Sequence, residues 1–382
     1  MADAPVAFAA YAGQTGAVGG SRNPIRWWTG LDRPLRALPR WAAALALALV
    51  AASFAWSAIA VGGFETPDGR SRAIVVTEDG FGDIALYEHI NRRMAAGEGY
   101  YQAALAEHRR HGYPAEPFVT VRTPVMAWGA KVWGAGGWRV VALVLLLANV
   151  VAWTGALSHR TVSAERVGVA LLIFVGGLAV FNDRYGVVHD LLAGLFVSLA
   201  LGLYRPGRWW PSWLAAAAGL AIRELALPFV LLWAALALAE RRWREFAAIV
   251  ALLALFVLGM ALHAGAVAAA RLPGDGVSGG WAEMLGPMMF LSSLLQLTPL
   301  LVLPPTVAAP FALLPLLGWA GLGGRTGLFA SLWFVGFALF VALFARAGNF
   351  YWVLLVLPAY AGGLALAPRA LRDLLAALRG LG

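Results

Sequence analysis

Apolar runs long enough to cross a bilayer recur along this chain, and they restrict its fold more than any other feature. A membrane-spanning helix needs about 20 predominantly apolar residues. The first such run, 41–62, reads WAAALALALVAASFAWSAIAVG. With 61% hydrophobic and only 13% charged residues, the 382-residue chain has more apolar surface than a soluble fold of its size can bury. We therefore predict an all-α polytopic membrane protein and exclude a soluble enzyme or a disordered chain. The lack of any Cys excludes a disulfide scaffold.

About ten segments have the length and composition of membrane spans. They are 41–62, 137–157, 165–181, 187–204, 211–222, 225–239, 245–268, 304–323, 326–345 and 349–367. Residues 119–136 are short and Gly-rich, and 285–303 are interrupted by prolines, so we interpret both as juxtamembrane or re-entrant pieces. The chain then divides into a partly disordered cytoplasmic segment 1–40, a single transmembrane domain 41–367 and a cytoplasmic tail 368–382.

Charge bias predicts which side of the membrane each loop occupies. With ten spans and a cytoplasmic N-terminus, the inner segments hold 16 basic and 6 acidic residues, and the outer segments hold 13 basic and 14 acidic residues. Excess positive charge on the inside is typical of proteins of the cell (inner) membrane. This distribution explains the net charge of +9 without a nucleic-acid partner. The polar stretch 63–118 becomes a long first extracytoplasmic loop with two surface helices, and both termini lie in the cytoplasm.

The unusual polar residues collect near the outer ends of the predicted spans, where ionisable groups are costly and point to function. In the long loop, Asp83 opens a helical run and Tyr87 follows one turn later. The helix macrodipole favours an ionised carboxylate at Asp83, and the alternative is that Asp83 only caps the helix. Arg223 and Glu224 separate two apolar runs. They form either a phosphate-binding Arg oriented by Glu224 or a mutually neutralising pair at a helix bend.

Two further arginines lie near span ends. Arg346 opens the last span in ARAGNFYWVLLVLPAY, and Arg184 lies in FNDRYGVVHD. Each is either a snorkelling residue at the interface or a phosphate ligand, for which the planar donors of Arg are well suited. His189 and Asp190 are adjacent, so they do not share a helical face and do not make a metal site alone.

The order of these elements resembles the GT-C superfamily of polyprenyl-phosphate-sugar-dependent glycosyltransferases. The segments that carry the resemblance are GDIALYEHINRRMAAGEGYY, RTP, IRELALPF and ARAGNFYWVLLVLPAY. Members often have a first-loop acid in D-x-x-x-Y, followed by G-x-x-Y, and here Asp83 with Tyr87 and Gly97 with Tyr100 match this pattern.

A late span in the same family often begins with an R-Y-x-x-x-x-x-P-like motif. Arg346, Tyr351 and Pro358 stand in similar places, but four residues separate Arg346 from Tyr351. The spacing therefore departs from the tighter form of the motif. A paired acidic motif of the Asp-x-Asp type has no counterpart, which favours a metal-independent member without a cofactor and leaves a divalent metal open.

The resemblance implies transfer of a sugar, with inversion, from a polyprenyl-phosphate donor to a cell-surface glycan or lipid acceptor on the extracytoplasmic side. It implies Asp83 as the catalytic base. The arginines implied to bind the donor phosphate are Arg346, Arg223 and Arg184. The residues implied to bind or orient substrate are Asp79, Tyr87, Arg122, His189, Glu224 and Tyr351. The alternatives are a flippase or transporter that uses the same arginines, and a polymerase or ligase of lipid-linked glycans with a different base.

Overall fold

The computed structural model describes residues 24–62, 82–181, 188–281 and 283–381. Within these ranges the chain is helical and has no named strand, so the prediction of an all-α protein is confirmed. In chain order the α-helices are α1 (Pro24–Thr29), α2 (Arg40–Gly62), α3 (Asp83–Ala95), α4 (Tyr100–Arg110), α5 (Val125–Leu157), α6 (Ser163–Gly177), α7 (His189–Leu203), α8 (Trp210–Ile222), α9 (Leu227–Ala239), α10 (Trp243–Ala270), α11 (Pro287–Leu297), α12 (Pro305–Leu322), α13 (Gly324–Phe344), α14 (Leu357–Tyr360) and α15 (Gly363–Leu378). Short 3₁₀ helices lie at Phe118–Thr120, Leu178–Phe181, Glu224–Ala226, Pro299–Val302 and Ala347–Leu355.

Several of these helices suit a bilayer. Among the described residues, five stretches are long and apolar enough to cross a membrane, namely Arg40–Val61, Gly136–Leu157, Trp243–Ala270, Pro305–Leu322 and Gly324–Phe344. On α10, Leu255, Leu258 and Leu262 recur at helical spacing and are all exposed, as expected of side chains that face lipid. The chain is therefore an α-helical membrane protein with several spans. Shorter apolar helices cover other predicted spans, and the number ten stays a prediction.

The two segments interpreted as interrupted are helical with breaks. α5 bends at Gly134, where φ is +74°, so a short helix from Val125 precedes the long apolar stretch Gly136–Leu157. Residues 285–303 form α11 followed by the 3₁₀ helix Pro299–Val302. Both segments lack the continuous length of a straight span.

The last predicted span, 349–367, is not one continuous helix. It comprises the end of a 3₁₀ helix, the short α14 and the beginning of α15. α15 continues to Leu378, well into the segment predicted as a cytoplasmic tail. Its buried Arg369 donates a hydrogen bond to the carbonyl oxygen of Arg160 at 2.6 Å. Hydropathy alone does not reveal these breaks, because the segment stays apolar through them.

A small separate core holds the α3–α4 hairpin in place. Gly97 ends α3 with φ of +101°, a conformation that favours glycine. Leu86 and Ile90 of α3 and Leu105 of α4 pack with Val121 and with Val267 near the end of α10. This contact fixes the direction in which the first residue of α3 points. The hairpin lies where the sequence predicts two surface helices.

Helices α12 and α15 approach each other so closely that glycine is required at their crossing. A Cβ atom at Gly318 would lie 1.8 Å from the carbonyl oxygen of Gly363, and a Cβ atom at Gly363 would lie 2.2 Å from the carbonyl oxygen of Pro315. Small residues at such crossings allow the backbone contact that associates helices in membranes.

We expect Gly318→Ala to destabilise the protein, although alanine is the better helix former. The matched control is Gly259→Ala in α10, where a new Cβ atom would meet nothing within 4 Å. The control should gain up to about 1 kcal/mol from helix propensity. Gly318→Ala should be roughly 1–3 kcal/mol less stable than that control because of overpacking. Denaturant titrations of both variants in detergent measure the difference, and equal midpoints would contradict the close crossing.

Candidate active site

A cavity of about 900 Å³ opens where several breaks in the helices meet. Its walls come from the start of α3, the segment after α4, the junction of α8 and α9, the end of α13, the 3₁₀ helix Ala347–Leu355 and the side chains of Trp281, Glu283 and Leu285. The charged residues that line it are Asp83, Arg122, Arg223, Glu224, Glu283 and Arg346. Residues far apart in the sequence thus form one polar site inside a largely apolar protein.

Asp83 is the first residue of α3 and contributes its side chain to the cavity wall. The preceding Gly82 occupies the N-cap position and is extended, so the geometry does not use Asp83 as the cap. Among the described residues, Asp83 forms no salt bridge. Burial raises the pKa of the Asp83 carboxyl, while the charge of Arg122 and the nearby hydroxyl of Tyr113 oppose that rise. Desolvation is the largest of these influences, so the pKa of Asp83 lies above that of an exposed aspartate.

Arg122 lies in the segment between α4 and α5 and is fixed by aromatic hydroxyls. Its Nε donates to the hydroxyl of Tyr87 at 3.2 Å, and its Nη2 donates to the hydroxyl of Tyr351 at 3.4 Å. Its Nη1 lies 3.7 Å from Oε1 of Glu224, which makes a loose ion pair. The hydroxyl of Tyr100 donates to the carbonyl oxygen of Arg122 at 2.6 Å and holds the backbone. Two hydroxyl groups thus hold the Arg122 guanidinium at the cavity wall, and Glu224 is its more distant carboxylate partner.

Arg223 is paired much more tightly. It is 1% exposed and adopts an extended conformation between α8 and the 3₁₀ turn before α9, with Pro228 at the second position of α9. Its Nε donates to Oδ1 of Asp190 at 2.8 Å, and its Nη1 donates to Oε1 of Glu224. Two carboxylates therefore neutralise Arg223, which corresponds to the ion-pair alternative with Asp190 as an additional partner.

Arg346, unlike Arg223, is not neutralised by carboxylates in the described structure. Its Nε lies 3.5 Å from Oδ1 of Asn349, which also accepts from the backbone N–H of Arg346 at 3.2 Å. Within the described part of the chain, Arg346 has no carboxylate partner. It precedes the 3₁₀ helix Ala347–Leu355 at the cavity wall, so its charge is available to an anionic ligand.

His189 and the 3₁₀ helix that carries Tyr351 form a neighbouring wall. His189 begins α7, and its ring packs edge-on against Tyr87 at a centroid distance of 4.7 Å. It does not line the main cavity but lines a small adjoining pocket with Asp83 and Tyr351. α7 contacts that 3₁₀ helix so closely that a Cβ atom at Gly194 would lie 2.6 Å from the carbonyl oxygen of Leu354.

Two predicted site residues, Asp79 and Arg184, lie outside the described residues. The structure brings together the others, with Asp83, Tyr87, Arg122, Arg223, Glu224, Arg346 and Tyr351 on the main cavity and His189 beside it.

Several cavity residues were not predicted as site residues. The hydroxyl of Tyr113 is buried beside the Asp83 carboxyl. The indole Nε1 of Trp352 is buried without a hydrogen-bond partner among the described residues, and both side chains line the cavity. An orphaned donor such as Nε1 of Trp352 suits a polar ligand. Trp352 stacks on Phe340 and meets Trp281 edge-on, which adds an aromatic surface. The only sequence signal for Tyr113 is a tyrosine in a polar segment, and Trp352 lies within a predicted apolar span and has no such signal.

His108 also lines the cavity, but it is not suited to act as a base. Burial lowers its pKa to about 4, and the ring forms a 2.8 Å hydrogen bond with the carbonyl oxygen of Pro114. The imidazole is therefore neutral at pH 7, with one nitrogen already used.

No protein family, curated protein or solved structure matches the chain. The functional assignment therefore depends on the chemistry of the cavity and on the resemblance of the sequence motifs.

Proposed function

We propose that the chain is an inverting GT-C-type glycosyltransferase that moves a sugar from a polyprenyl-phosphate donor to a glycan or lipid acceptor outside the cytoplasm. The observation that carries the proposal is that Asp83 and Arg346, neither with an oppositely charged partner among the described residues, line the same cavity of a membrane protein. A lipid-linked donor needs a cationic site for its phosphate next to a bilayer, and its acceptor needs a base. About ten spans and a first outer loop with two juxtamembrane helices are the arrangement we propose for the whole chain.

The reaction assigns a separate task to each group. The Asp83 carboxylate takes the proton of an acceptor hydroxyl while the hydroxyl oxygen attacks the anomeric carbon. The bond between that carbon and the phosphate oxygen breaks on the opposite face, so the new glycosidic bond has inverted configuration. Polyprenyl phosphate leaves with the electron pair, and the proton on Asp83 passes to solvent. The raised pKa of Asp83 makes it a more effective base.

Charge develops on the phosphate as the donor bond breaks, so arginines near it stabilise the transition state. We assign the phosphate to Arg346 and Arg122. Arg346 lacks a carboxylate partner among the described residues, and the closest contacts of Arg122 are to hydroxyls. Arg223 is a positioning residue, because Asp190 and Glu224 already use two of its nitrogens. It holds Glu224 near Arg122.

The size and lining of the cavity suit a sugar phosphate. Its volume of about 900 Å³ is within the roughly 300–1,000 Å³ typical of ligand sites. The unpaired indole donor of Trp352 is available to a sugar hydroxyl, and the aromatic surface that Trp352 forms with Trp281 is available for stacking.

The alternative functions use the site differently. A flippase or exporter needs cations for the phosphate, but it needs the partly buried Asp83 carboxylate only if transport is coupled to protons. Transfer uses both Asp83 and Arg346 without a coupling ion, and this favours transfer over transport. A polymerase or ligase of lipid-linked glycans would use the same arginines with another base. Loss of activity in an Asp83 variant would therefore also distinguish the proposed transferase from that class.

The experiment that tests the function is mass spectrometry of lipid-linked sugars and surface glycans from a strain that lacks the gene. We expect one polyprenyl-phosphate sugar to accumulate and the corresponding residue to disappear from a surface glycan or lipid. The wild-type gene should reverse both changes, and an Asp83→Asn variant of equal abundance should reverse neither. If both pools are unchanged by the deletion, or if Asp83→Asn complements fully, the proposal is wrong.

A further inference from the structure

A second cluster of chemically active side chains lies outside the cavity, where α3 meets the end of α4. It comprises His89 in α3, the buried Glu107 in α4 and His111, which directly follows α4. One possible ligand atom from each residue lies within 4.8 Å of the other two. None of the three lines the cavity, so the proposed transfer reaction does not use them.

The distances within the cluster match the edges of a coordination tetrahedron. Nδ1 of His89 lies 3.3 Å from Oε2 of Glu107, and Nε2 of His111 lies 3.4 Å from the same oxygen. Zinc bonds of about 2.0–2.1 Å at tetrahedral angles separate neighbouring ligand atoms by about 3.3–3.4 Å. The two imidazole rings lie 5.5 Å apart and nearly perpendicular. Two edges of the tetrahedron are therefore already formed.

Glu107 is oriented by a neighbouring ion pair. Its Oε1 accepts a 3.0 Å hydrogen bond from Nη1 of Arg93, while Arg93 is also bound by both oxygens of Glu98 at 2.7 and 2.9 Å. Oε2 is thereby the oxygen that faces both histidines. Partners of this kind hold metal-binding carboxylates in place.

The local charge also favours a cation. Glu98 and Glu107, which both pair with Arg93, together outweigh it by one negative charge.

We propose that His89, Glu107 and His111 form a zinc site with three protein ligands and a fourth position filled by water. Two imidazoles and one carboxylate are ligands that Zn²⁺ prefers. The ion joins α3 to the end of α4, and so supports the helix that begins with Asp83. The inference does not depend on the proposed transferase activity.

The test is a Zn²⁺ titration of the purified full chain in detergent after treatment with a chelator, with a chromophoric competitor as the readout. Wild type should bind one Zn²⁺ per chain. Loss of an outer-shell partner costs 10–100-fold in affinity, so His89→Ala, Glu107→Gln and His111→Ala should each cost at least about 100-fold. Co²⁺ in the same site should give the visible absorption of a four-coordinate ion in wild type and not in His111→Ala.

The matched control is His159→Ala, which removes an exposed histidine between α5 and α6. It should bind Zn²⁺ as wild type does. The site does not exist if stripped wild type takes up no stoichiometric Zn²⁺, or if His159→Ala loses as much affinity as His89→Ala. If a histidine variant fails to fold, the wild-type stoichiometry and the nearly isosteric Glu107→Gln decide the question. Transferase activity is not a readout, so failure here leaves the proposed function unaffected.

Discussion

Replacement of Asp83 by Asn is expected to reduce sugar transfer by about 10²–10⁴-fold, the usual contribution of a general base. Asn has nearly the same shape but does not take a proton from the acceptor. Gly82 holds the N-cap position, so the start of α3 should survive the change. The measurement is single-turnover transfer from a labelled polyprenyl-phosphate sugar by purified protein, with thermal unfolding as the check on folding.

The matched controls are the neighbouring acids, Glu78→Gln and Asp79→Asn, which lie outside the described residues. Glu78→Gln should retain near-full activity. Asp79→Asn, at a position that the resemblance implies binds or orients substrate, should lose far less activity than Asp83→Asn. If Asp83→Asn is active while Asp79→Asn or Glu78→Gln is not, the base is a different carboxylate. If all three variants remain active, the hypothesis of a catalytic base in the first loop is wrong, and the transport alternative is favoured.

The rate of sugar transfer by the wild-type protein should also depend on pH, because Asp83 has to be deprotonated to act as the base. A base works only when deprotonated, so the rate falls as the pH is lowered through its pKa. Burial raises the pKa of Asp83, so the loss should begin at a higher pH than for an exposed aspartate with a pKa of about 3.9.

Arg223→Met is expected to destabilise the protein by about 3–5 kcal/mol, because it leaves buried Asp190 without its cation and leaves partly buried Glu224 with only the loose pair to Arg122. The cost concerns folding and should be present without any ligand. Denaturant titration of the empty protein in detergent measures it. The double variant Arg223→Met with Asp190→Leu should recover part of the loss, and a fully stable single variant would contradict the ion-pair assignment.

Arg346→Ala is the matched arginine variant, and we expect the opposite pattern. With no carboxylate left unpaired in the described structure, stability should change by less than about 0.5 kcal/mol. Donor affinity should fall by about 1.5–3 kcal/mol, the value of a hydrogen bond to a charged group. Arg346→Lys should recover only part of it, because Lys lacks the planar fork. Unchanged binding of a polyprenyl-phosphate sugar would make Arg346 a snorkelling residue.

Several residues of the candidate site could be predicted from the sequence, because an ionisable side chain within an apolar run is energetically unfavourable unless it has a function. Arg223, Glu224 and Arg346 stand out for that reason in the sequence alone. Their partners do not, since Asp190 is 33 residues before Arg223 and the pairing depends on how α7 packs against α8. Tyr113 was missed because its direction depends on the hairpin packing against α10.

For the fold too, the sequence predicted local features but not the contacts between distant segments. Hydropathy located the apolar helices, because burial in lipid needs only composition and length. It did not reveal that 349–367 is broken, since apolar 3₁₀ and α-helical residues have the same composition. Nor did it indicate the contact of His89 with Glu107, because the two lie on different helices.

The close contact at Gly194 has a mechanical consequence for how a phosphate is held. Backbone packed directly on backbone leaves no compressible side chain between α7 and the segment that carries Tyr351, so that segment is rigidly supported. The Tyr351 hydroxyl in turn accepts a hydrogen bond from Nη2 of Arg122 at 3.4 Å. The rigidity of this cavity wall therefore extends to the guanidinium group that we propose binds the donor phosphate.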